Sequence, residues 1–586
     1  MKKILALLLI VCMILPLAAC GGETTTGEGG EVGEEVRTET VNSIKSATTI
    51  PEGETYSLDA KLPLVPEGEE ATLNIGVVVS ANTTDYKDND YTHWLEEKTG
   101  INLEFTQFAG TSSDTAPQIA LMTAAGEKLP DILMRFSGIS KSQGGKYGRD
   151  GYFRDISEYF KDPDMNYYRR WGLKKFFSDH PEANDILMTR ATDADTGAIY
   201  SYPFMTNERE DRPKCHIQIN KLWLEKLGLE MPRTPDELYD VLVAFRDQDP
   251  NGNGIKDEIP MIGRPTSYKD VIHWVMNAFV FVNDSYYFNI EDGQLYLPYT
   301  TDEYRQALIF IKKLVDEGLL SSQTWTISNE EYKSLLNPTD GVYTVGICGA
   351  NIYADILTSG HTMQDYQEVP PLKDAGYGKG GYGPMTYYLM EFNTFITEDC
   401  ENPELAFRFM DFLSGPENWK YLRWGPAGGN WDYTGEVDEN GFPITETISD
   451  DDPQTYPNNH TWHTYAGLSS SNPLAEDKDL SNPDDFRTAR WIHDRDIIQY
   501  YEQAGQPEEE FFFANYTEEE SDYRADFVSD LQDFIKTSRA NFCNGVADPS
   551  SDADWETYLD GLNRLRVDEW IDSTQTAYDR TFETAE

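Results

Sequence analysis

From Asp249 to Glu258 the chain reads Asp-Pro-Asn-Gly-Asn-Gly-Ile-Lys-Asp-Glu, which sets oxygen-bearing side chains at alternate positions around two glycines. A hard cation such as calcium takes about six to eight oxygen ligands, and alternate residues of a glycine-permitted turn can aim theirs at one centre. The expected set is Asp249, Asn251 and Asn253 by side chain, Ile255 by backbone carbonyl, and Asp257 with Glu258 closing the shell. An Asx-Gly turn without an ion is the alternative. Three carboxylates in so short a stretch repel one another unless neutralised, which favours a bound calcium in a structural role. Pro260 stands where a helix-loop-helix calcium loop needs its bidentate carboxylate, so an EF-hand is excluded as the parent fold.

Residues suited to catalysis are fewer than a first glance suggests. Gly376-Tyr-Gly-Lys-Gly-Gly381 matches a dinucleotide fingerprint in letters, but Pro370, Pro371 and Pro384 stand where a strand and a helix are required, so it reads as a loop. His460-Thr-Trp-His463 lacks the helical glutamate of a zinc protease. Neither a nucleophile-elbow serine nor a phosphate-binding loop is present. Paired carboxylates would serve glycoside hydrolysis, yet among 102 acidic residues some pair stands at any chosen separation, and the pairing discriminates nothing. A non-catalytic chain is expected.

The elements that must position these residues belong to a long, acidic chain. It has 586 residues with 39% hydrophobic content and a net charge of −54, enough apolar material for folded cores and a field that repels nucleic acid and anionic lipid surfaces. Lys2 and Lys3 precede an apolar run from Ile4 to Leu17 that closes on Leu17-Ala-Ala-Cys20. The run is shorter than the roughly 20 residues that span a bilayer, so it reads as an export signal, residues 1–20. Its end resembles the lipobox of bacterial lipoproteins, which implies lipidation of Cys20 and an anchor on the extracytoplasmic face of the cell membrane. Residues 21–70 are rich in Gly, Glu, Thr and Ser with Tyr56 the sole aromatic, the composition of a disordered tether. Cys215, Cys348, Cys400 and Cys543 lie far apart without metal-ligand spacing, and no obligatory disulfide is expected.

The folded body opens on Thr72-Leu-Asn-Ile-Gly-Val-Val-Val79, a β-branched run suited to a buried strand, then a helix near Tyr91–Lys98 stopped by Gly100. Further strands are expected at Ile101–Phe105 and Leu129–Met134, with a helix over Pro117–Ala125 between them. This alternation signifies α/β architecture. Thr234 caps a helix with Pro235 at its first position and Leu238, Val241, Leu242 and Phe245 on one stripe. Asn402-Pro403-Glu404 repeats the device ahead of Leu405, Phe409, Phe412 and Leu413.

Several stretches in this order carry a family resemblance: Trp94-Leu-Glu-Glu-Lys-Thr-Gly100, Leu129-Pro-Asp-Ile132, Ile219-Asn-Lys-Leu-Trp-Leu-Glu-Lys-Leu-Gly228, Pro232-Arg-Thr-Pro-Asp-Glu-Leu238, Tyr304-Arg-Gln-Ala-Leu308 with Glu317-Gly-Leu319, and Cys400-Glu-Asn-Pro-Glu404. The chain resembles extracellular solute-binding lipoproteins of carbohydrate ABC importers, of the family 1 type akin to alginate-binding proteins, whose calcium loop corresponds to Asp249–Glu258. The resemblance implies a type II periplasmic-binding-protein-like fold, in which two α/β lobes are joined by crossing strands around a ligand cleft. Residues 71–210 and about 388–430 would form lobe one, and residues 211–387 and about 431–586 lobe two. It implies a monomer that captures an oligosaccharide and delivers it to permease subunits, touching the membrane only through its lipid. A surface glycosidase or polysaccharide lyase, and a peptide receptor, are the alternatives.

A pyranose presents apolar faces and a rim of hydroxyls, so its site needs aromatic planes and polar side chains. In Arg423-Trp-Gly-Pro-Ala-Gly-Gly-Asn-Trp-Asp-Tyr433, glycines suggest a loop that offers Trp424, Asn430 and Trp431 to a ligand. The stretch is similar to the family's Gly-x-Glu-Gly-x-x-aromatic loop, with Ala427 in place of the Glu. Trp274, Tyr202, Tyr382 and Tyr387 are further candidates, with core packing as the alternative for each.

Overall fold

The computed structural model describes residues 41–586 except 175–182, 207–212, 214, 267–268, 351–354, 357–364, 385–388, 450–455, 463–466, 469–475, 478–485 and 583–586. The strand-helix alternation read from the sequence is present: β1 (Ala71–Val78), α1 (Asp90–Thr99), β2 (Ile101–Phe108), α2 (Thr115–Ala125) and β3 (Ile132–Leu133). Local chemistry sets the boundaries. Asn89 caps α1 by accepting the Tyr91 N–H, and Gly100 ends it at φ 76, a left-handed conformation that costs glycine little.

Continuing along the chain are α3 (Lys141–Arg149), β4 (Tyr202–Thr206), β5 (Ile217–Asn220), α4 (Pro235–Asp247), β6 (Ile259–Ile262), α5 (Val271–Met276), β7 (Val345–Gly349), β8 (Tyr366–Glu368) and β9 (Leu389–Ile396). Then come α6 (Pro403–Leu413), α7 (Asn418–Trp424), β10 (Trp431–Val437) and β11 (Pro443–Thr447), with α8 (Phe486–Ala504), α9 (Glu518–Ala525), α10 (Val528–Cys543), α11 (Asp552–Arg564) and α12 (Val567–Phe582) toward the carboxyl end. Thr234 and Glu237 form a capping box on α4, and Pro235 opens the helix as its sequence requires.

Two sheets define two lobes. The first has strand order β2-β1-β3-β9-β4 and the second β8-β5-β7-β6. β1 is parallel to both β2 and β3, while β9 runs antiparallel to β3 and β4. In the second sheet β6 and β7 are parallel and β5 opposes β7. Each sheet has its own core. Leu73, Ile75, Val77, Leu103, Phe409 and Trp462 belong to the lobe-one cluster. Ile217, Ile219, Leu242, Phe245, Ile347 and Trp570 belong to that of lobe two.

Two sequence-based boundaries need correction. Residues 41–70 do not hang free as part of a tether. Ile44, Tyr56 and Val65 are buried in the lobe-one core, and the segment is stitched down by backbone and side chain alike. Tyr56 N–H donates to the Asn440 carbonyl at 2.9 Å, Val65 N–H to the Thr99 carbonyl at 3.0 Å, and Arg170 Nη2 to Glu54 Oε1 at 2.7 Å. Three well-spaced apolar side chains that meet a prepared surface offset the ordering cost that composition alone counts against them. Lobe one also reaches beyond residue 430. The β10–β11 hairpin returns to it, and Trp431, Phe442, Trp462 and Leu468 join its core. The helical region from Phe511 onward packs with lobe two.

Candidate functional site

The chain crosses between lobes after β4 and again before β9. Leu389 pairs with Thr206, so both crossings leave sheet one together. β9 is antiparallel to β3, with Phe395 opposite Leu133, which places this exit at the carboxyl edge of the parallel strands β1 to β3. On the other side, Ile217 at the start of β5 pairs with Gly349 at the end of β7. The crossing therefore enters sheet two at the carboxyl edge of its parallel pair. The two carboxyl edges face each other, and such edges are where open α/β sheets bind ligands.

Side chains at these edges are polar and mutually oriented. In lobe one Arg135 follows β3 at φ 56, a left-handed conformation unusual for a residue with a side chain. Its Nη2 donates to Glu391 Oε2 at 2.9 Å, and Glu391 also accepts from Asn393 Nδ2 at 2.9 Å. Both partners lie on β9, the strand that has just returned from lobe two. In lobe two Lys269 Nζ bonds Asp355 Oδ1 at 2.6 Å and Asn329 Oδ1 at 3.0 Å, while Arg264 Nη1 reaches Asn329 Oδ1 at 3.0 Å. Lys269, Asp355 and Asn393 are buried in these networks, which leaves Arg135, Glu391, Arg264 and Asn329 as the part-exposed polar groups at the two edges, of types suited to hydroxyl recognition. None of these residues was a candidate from sequence. The available signal was position, since Arg135 stands one residue beyond the expected strand Leu129–Met134.

The sequence-derived aromatic candidates do not converge on this rim. Trp431 does not lie on an open loop. It begins β10, is 1% exposed, donates Nε1–H to the Gly425 carbonyl at 2.9 Å and packs edge-on against Tyr421 and Tyr433. Trp274 is likewise a core residue of α5, with its indole N–H on the Pro370 carbonyl at 3.1 Å. Tyr202 is buried against Phe160 and Phe407, its hydroxyl 3.1 Å from Ser414 Oγ. A buried indole or phenol with its polar atom satisfied inside the core presents no face to a ligand. Trp424, the last residue of α7, is half-buried. Asn430 is half-buried too, and its carbonyl accepts from the Ile448 N–H at 2.8 Å. Tyr382 is half-buried with its ring edge-on to Phe281 in lobe two, and Tyr387 lies outside the described residues. The Gly376–Gly381 stretch is a loop wound on Asp374, whose carboxylate accepts the Gly376, Gly378 and Gly380 N–H groups. Cys215, Cys348, Cys400 and Cys543 are buried and stand outside any disulfide among the described residues.

The acidic loop joins α4 to β6, a helix to a strand. Asp249 takes φ 47, and Gly252 and Gly254 take φ 76 and 74, so the chain coils through left-handed turns. Its donors turn inward on one another: Asn251 Nδ2 donates to Asp257 Oδ1 at 2.9 Å, Asn253 Nδ2 to Asp257 Oδ2 at 3.0 Å, and Ile255 N–H to Asn253 Oδ1 at 2.6 Å. With those amides on Asp257, no group of three or more His, Cys, Asp and Glu side chains among the described residues stands ready-made for a metal. Two observations suit a cation nonetheless. Glu258 Oε1 is buried with no hydrogen-bond partner. Burial, with Asp249 and Asp257 adding repulsion, pushes the Glu258 carboxyl above its ordinary range.

Lobe two also encloses a charged cluster away from the rim. Asp284 accepts from Arg539 Nη2 at 2.7 Å and lies 3.1 Å from His273 Nε2, while His273 Nδ1 is 2.8 Å from Asp270 Oδ2. Burial alone would lower the His273 pKa, but Asp284 and Asp270 outweigh it and raise it to about 9. Burial opposes ionisation of Asp284 as well, yet Arg539 and His273 hold it well below the usual carboxylate range. The cluster ties α5 to α10 as a brace.

Against known proteins, residues 80–418, more than half of the chain, match the model of the family described as bacterial extracellular solute-binding protein. The chain is 25% identical over 504 residues to the fructooligosaccharide ABC transporter substrate-binding protein FusA of Streptococcus pneumoniae, covering 83% of this chain and 86% of that one. It is 27% identical over 248 residues to the polygalacturonan/rhamnogalacturonan-binding protein YtcQ of Bacillus subtilis, covering 42% and 43%. Its fold is that of an extracellular solute-binding protein from Bifidobacterium longum subsp. infantis, with a TM-score of 0.70 at 20% identity over 88% of this chain and 99% of that one. No helix among the described residues is long and apolar enough to cross a membrane. The two-lobed architecture, the facing carboxyl edges and the family match lead to one conclusion: the chain belongs to the bacterial extracellular solute-binding proteins.

Proposed function

We propose that this chain captures an oligosaccharide in the groove between its lobes, closes on it, and delivers it unaltered to the permease subunits of an ABC importer. The observation that carries this reading is that the crossings join the two carboxyl edges, with Arg135 and Glu391 on one edge and Arg264 and Asn329 on the other. FusA, named for fructooligosaccharide, and YtcQ, named for polygalacturonan/rhamnogalacturonan binding, support a saccharide over a peptide. The role requires no chemistry of the chain itself, and energy for transport comes from the partner's ATPase. Cys20 carries the lipid that holds the monomer at the outer face of the membrane.

Calcium belongs to the same reading as a structural ion. Asp249, Asn251, Asn253, Asp257, Glu258 and the Ile255 carbonyl hold it once the Asn251 and Asn253 amides rotate to present oxygen, and the ion supplies charge compensation between α4 and β6.

Calorimetry against fructan, pectic and neutral oligosaccharides, with peptides alongside, tests the assignment. Saturable binding of one saccharide class at a single site is expected, with an Arg135→Ala change weakening it about tenfold. Binding of peptides with no saccharide response would overturn it.

A further inference from the structure

A cavity of about 300 Å3 opens in lobe one between the amino-terminal segment, α1, α7 and the β10–β11 hairpin. It stands apart from the interlobe groove. Trp94, midway along α1, and Lys98, in its last turn, help line it, and α1 ends just before Ile101, the residue that pairs with Ala71 at the start of β1. The cavity therefore lies toward the edge where the parallel strands begin, opposite the edge that faces lobe two.

Its walls are largely aromatic and carry two charged groups, the buried Glu417 carboxyl and the part-exposed Lys98 ammonium. Tyr56, Trp94, Tyr421 and Tyr433 supply rings, with Trp94 and Tyr421 stacked at 3.9 Å between centroids. Glu417 is 2% exposed and accepts a hydrogen bond from the Tyr56 hydroxyl. We propose that this cavity binds a small organic ammonium ion, with its apolar substituents against the rings and its charge directed at Glu417.

The chemistry favours a cation over a sugar. A pyranose brings several hydroxyls that need partners, whereas the Tyr56 hydroxyl is committed to Glu417 and those of Tyr421 and Tyr433 bond to each other. Lys98 is itself paired at 3.3 Å with Asp59, and these two charges act on Glu417 with opposite signs. Trp94 already stacks on Tyr421 and Phe412, so the gain for an ammonium ion lies in neutralising a desolvated carboxylate while its apolar substituents fill the space between the rings. Burial, only partly offset by the Tyr56 hydrogen bond, pushes the Glu417 carboxyl up to about 7, the mark of a charge short of compensation.

The full chain is titrated with choline, with its uncharged isostere 3,3-dimethyl-1-butanol, and with glucose, following heat and tryptophan fluorescence. Choline is expected to saturate, and the isostere to bind at least tenfold more weakly. Glu417→Gln is expected to lower choline affinity tenfold or more. Tyr433→Leu, a change on a half-buried hairpin strand that leaves the carboxylate in place, is expected to lower it about fivefold. Equal binding of choline and the isostere, saturation by glucose alone, no binding by any probe, or choline affinity unchanged in both variants would overturn the proposal.

Discussion

The two lobes bury ionisable groups in opposite ways. Lobe one encloses Asp411 and Glu417, which are met by neutral donors: the Tyr168 and Arg169 N–H groups at 3.0 and 2.8 Å for Asp411, and the Tyr56 hydroxyl for Glu417. Burial raises both carboxyls to about 7. Lobe two sets Asp284 and Asp270 against Arg539 and His273, and there the acids stay ionised and the imidazole protonated. Burial by itself does not decide a charge state; the formal charge of the nearest partner does. One lobe thus carries carboxylates whose ionisation opposes folding, and the other carries a network whose ionisation supports it.

The sharpest way to break this contrast is to remove one charge from the network. Arg539→Met strips Asp284 of one of its two cations, leaving His273 alone beside it, and is expected to cost about 3 kcal/mol, read by denaturant unfolding with hydrogen exchange reporting on each lobe. The loss should fall on lobe two and leave exchange in β1 to β3 unchanged.

Changing pH should separate the lobes without mutation. The folded His273 pKa lies above its unfolded value of 6.5, so its contribution is complete below about 6.5 and is lost as pH rises through about 9. Lobe two is expected to lose roughly 3 kcal/mol between pH 6.5 and 9.5. The folded pKa values of Asp411 and Glu417 lie above the unfolded range near 4, so their penalty is absent below that range and complete above about 7. Acidification from pH 8 to 5 should therefore stabilise lobe one, and Asp411→Asn should remove much of that gain.

Calcium would sharpen the comparison from another side, because the acidic loop proposed to hold it lies between α4 and β6 of lobe two. At about thirty times its Kd the ion is expected to add about 2 kcal/mol, seen as a higher Tm that chelator reverses and Asp257→Asn abolishes, with saccharide affinity intact. The smallest effect concerns lobe one. Tyr56→Phe removes the donor to Glu417 and should cost about 1 kcal/mol at pH 8 and less at pH 5, where the protonated carboxyl no longer depends on it.

Much of this architecture was legible because local signals coincide with tertiary demands. The run at Thr72–Val79 became a central strand, and the Thr234-Pro235 and Asn402-Pro403 devices opened α4 and α6. The segment 41–70 was misread because composition averages over residues, whereas burial acts on single ones such as Ile44 and Tyr56. Nothing local marks the return of β10–β11 to lobe one. The tryptophan candidates rested on glycines taken as a sign of an exposed loop. Gly425, Gly428 and Gly429 do form a turn, but it lets Trp431 fold back so that its N–H meets the Gly425 carbonyl. Arg135 carries no motif, and its place at the rim emerges only once β3 and β9 are paired.

Capture between the lobes is proposed to leave the guest intact. Small-angle scattering on the full chain, with and without a saturating oligosaccharide identified by calorimetry, tests it when the saccharide is afterwards recovered and chromatographed. A smaller radius of gyration in the bound state and a recovered sugar of unchanged length are expected. An unchanged radius, or a sugar shortened over repeated turnovers, would contradict it.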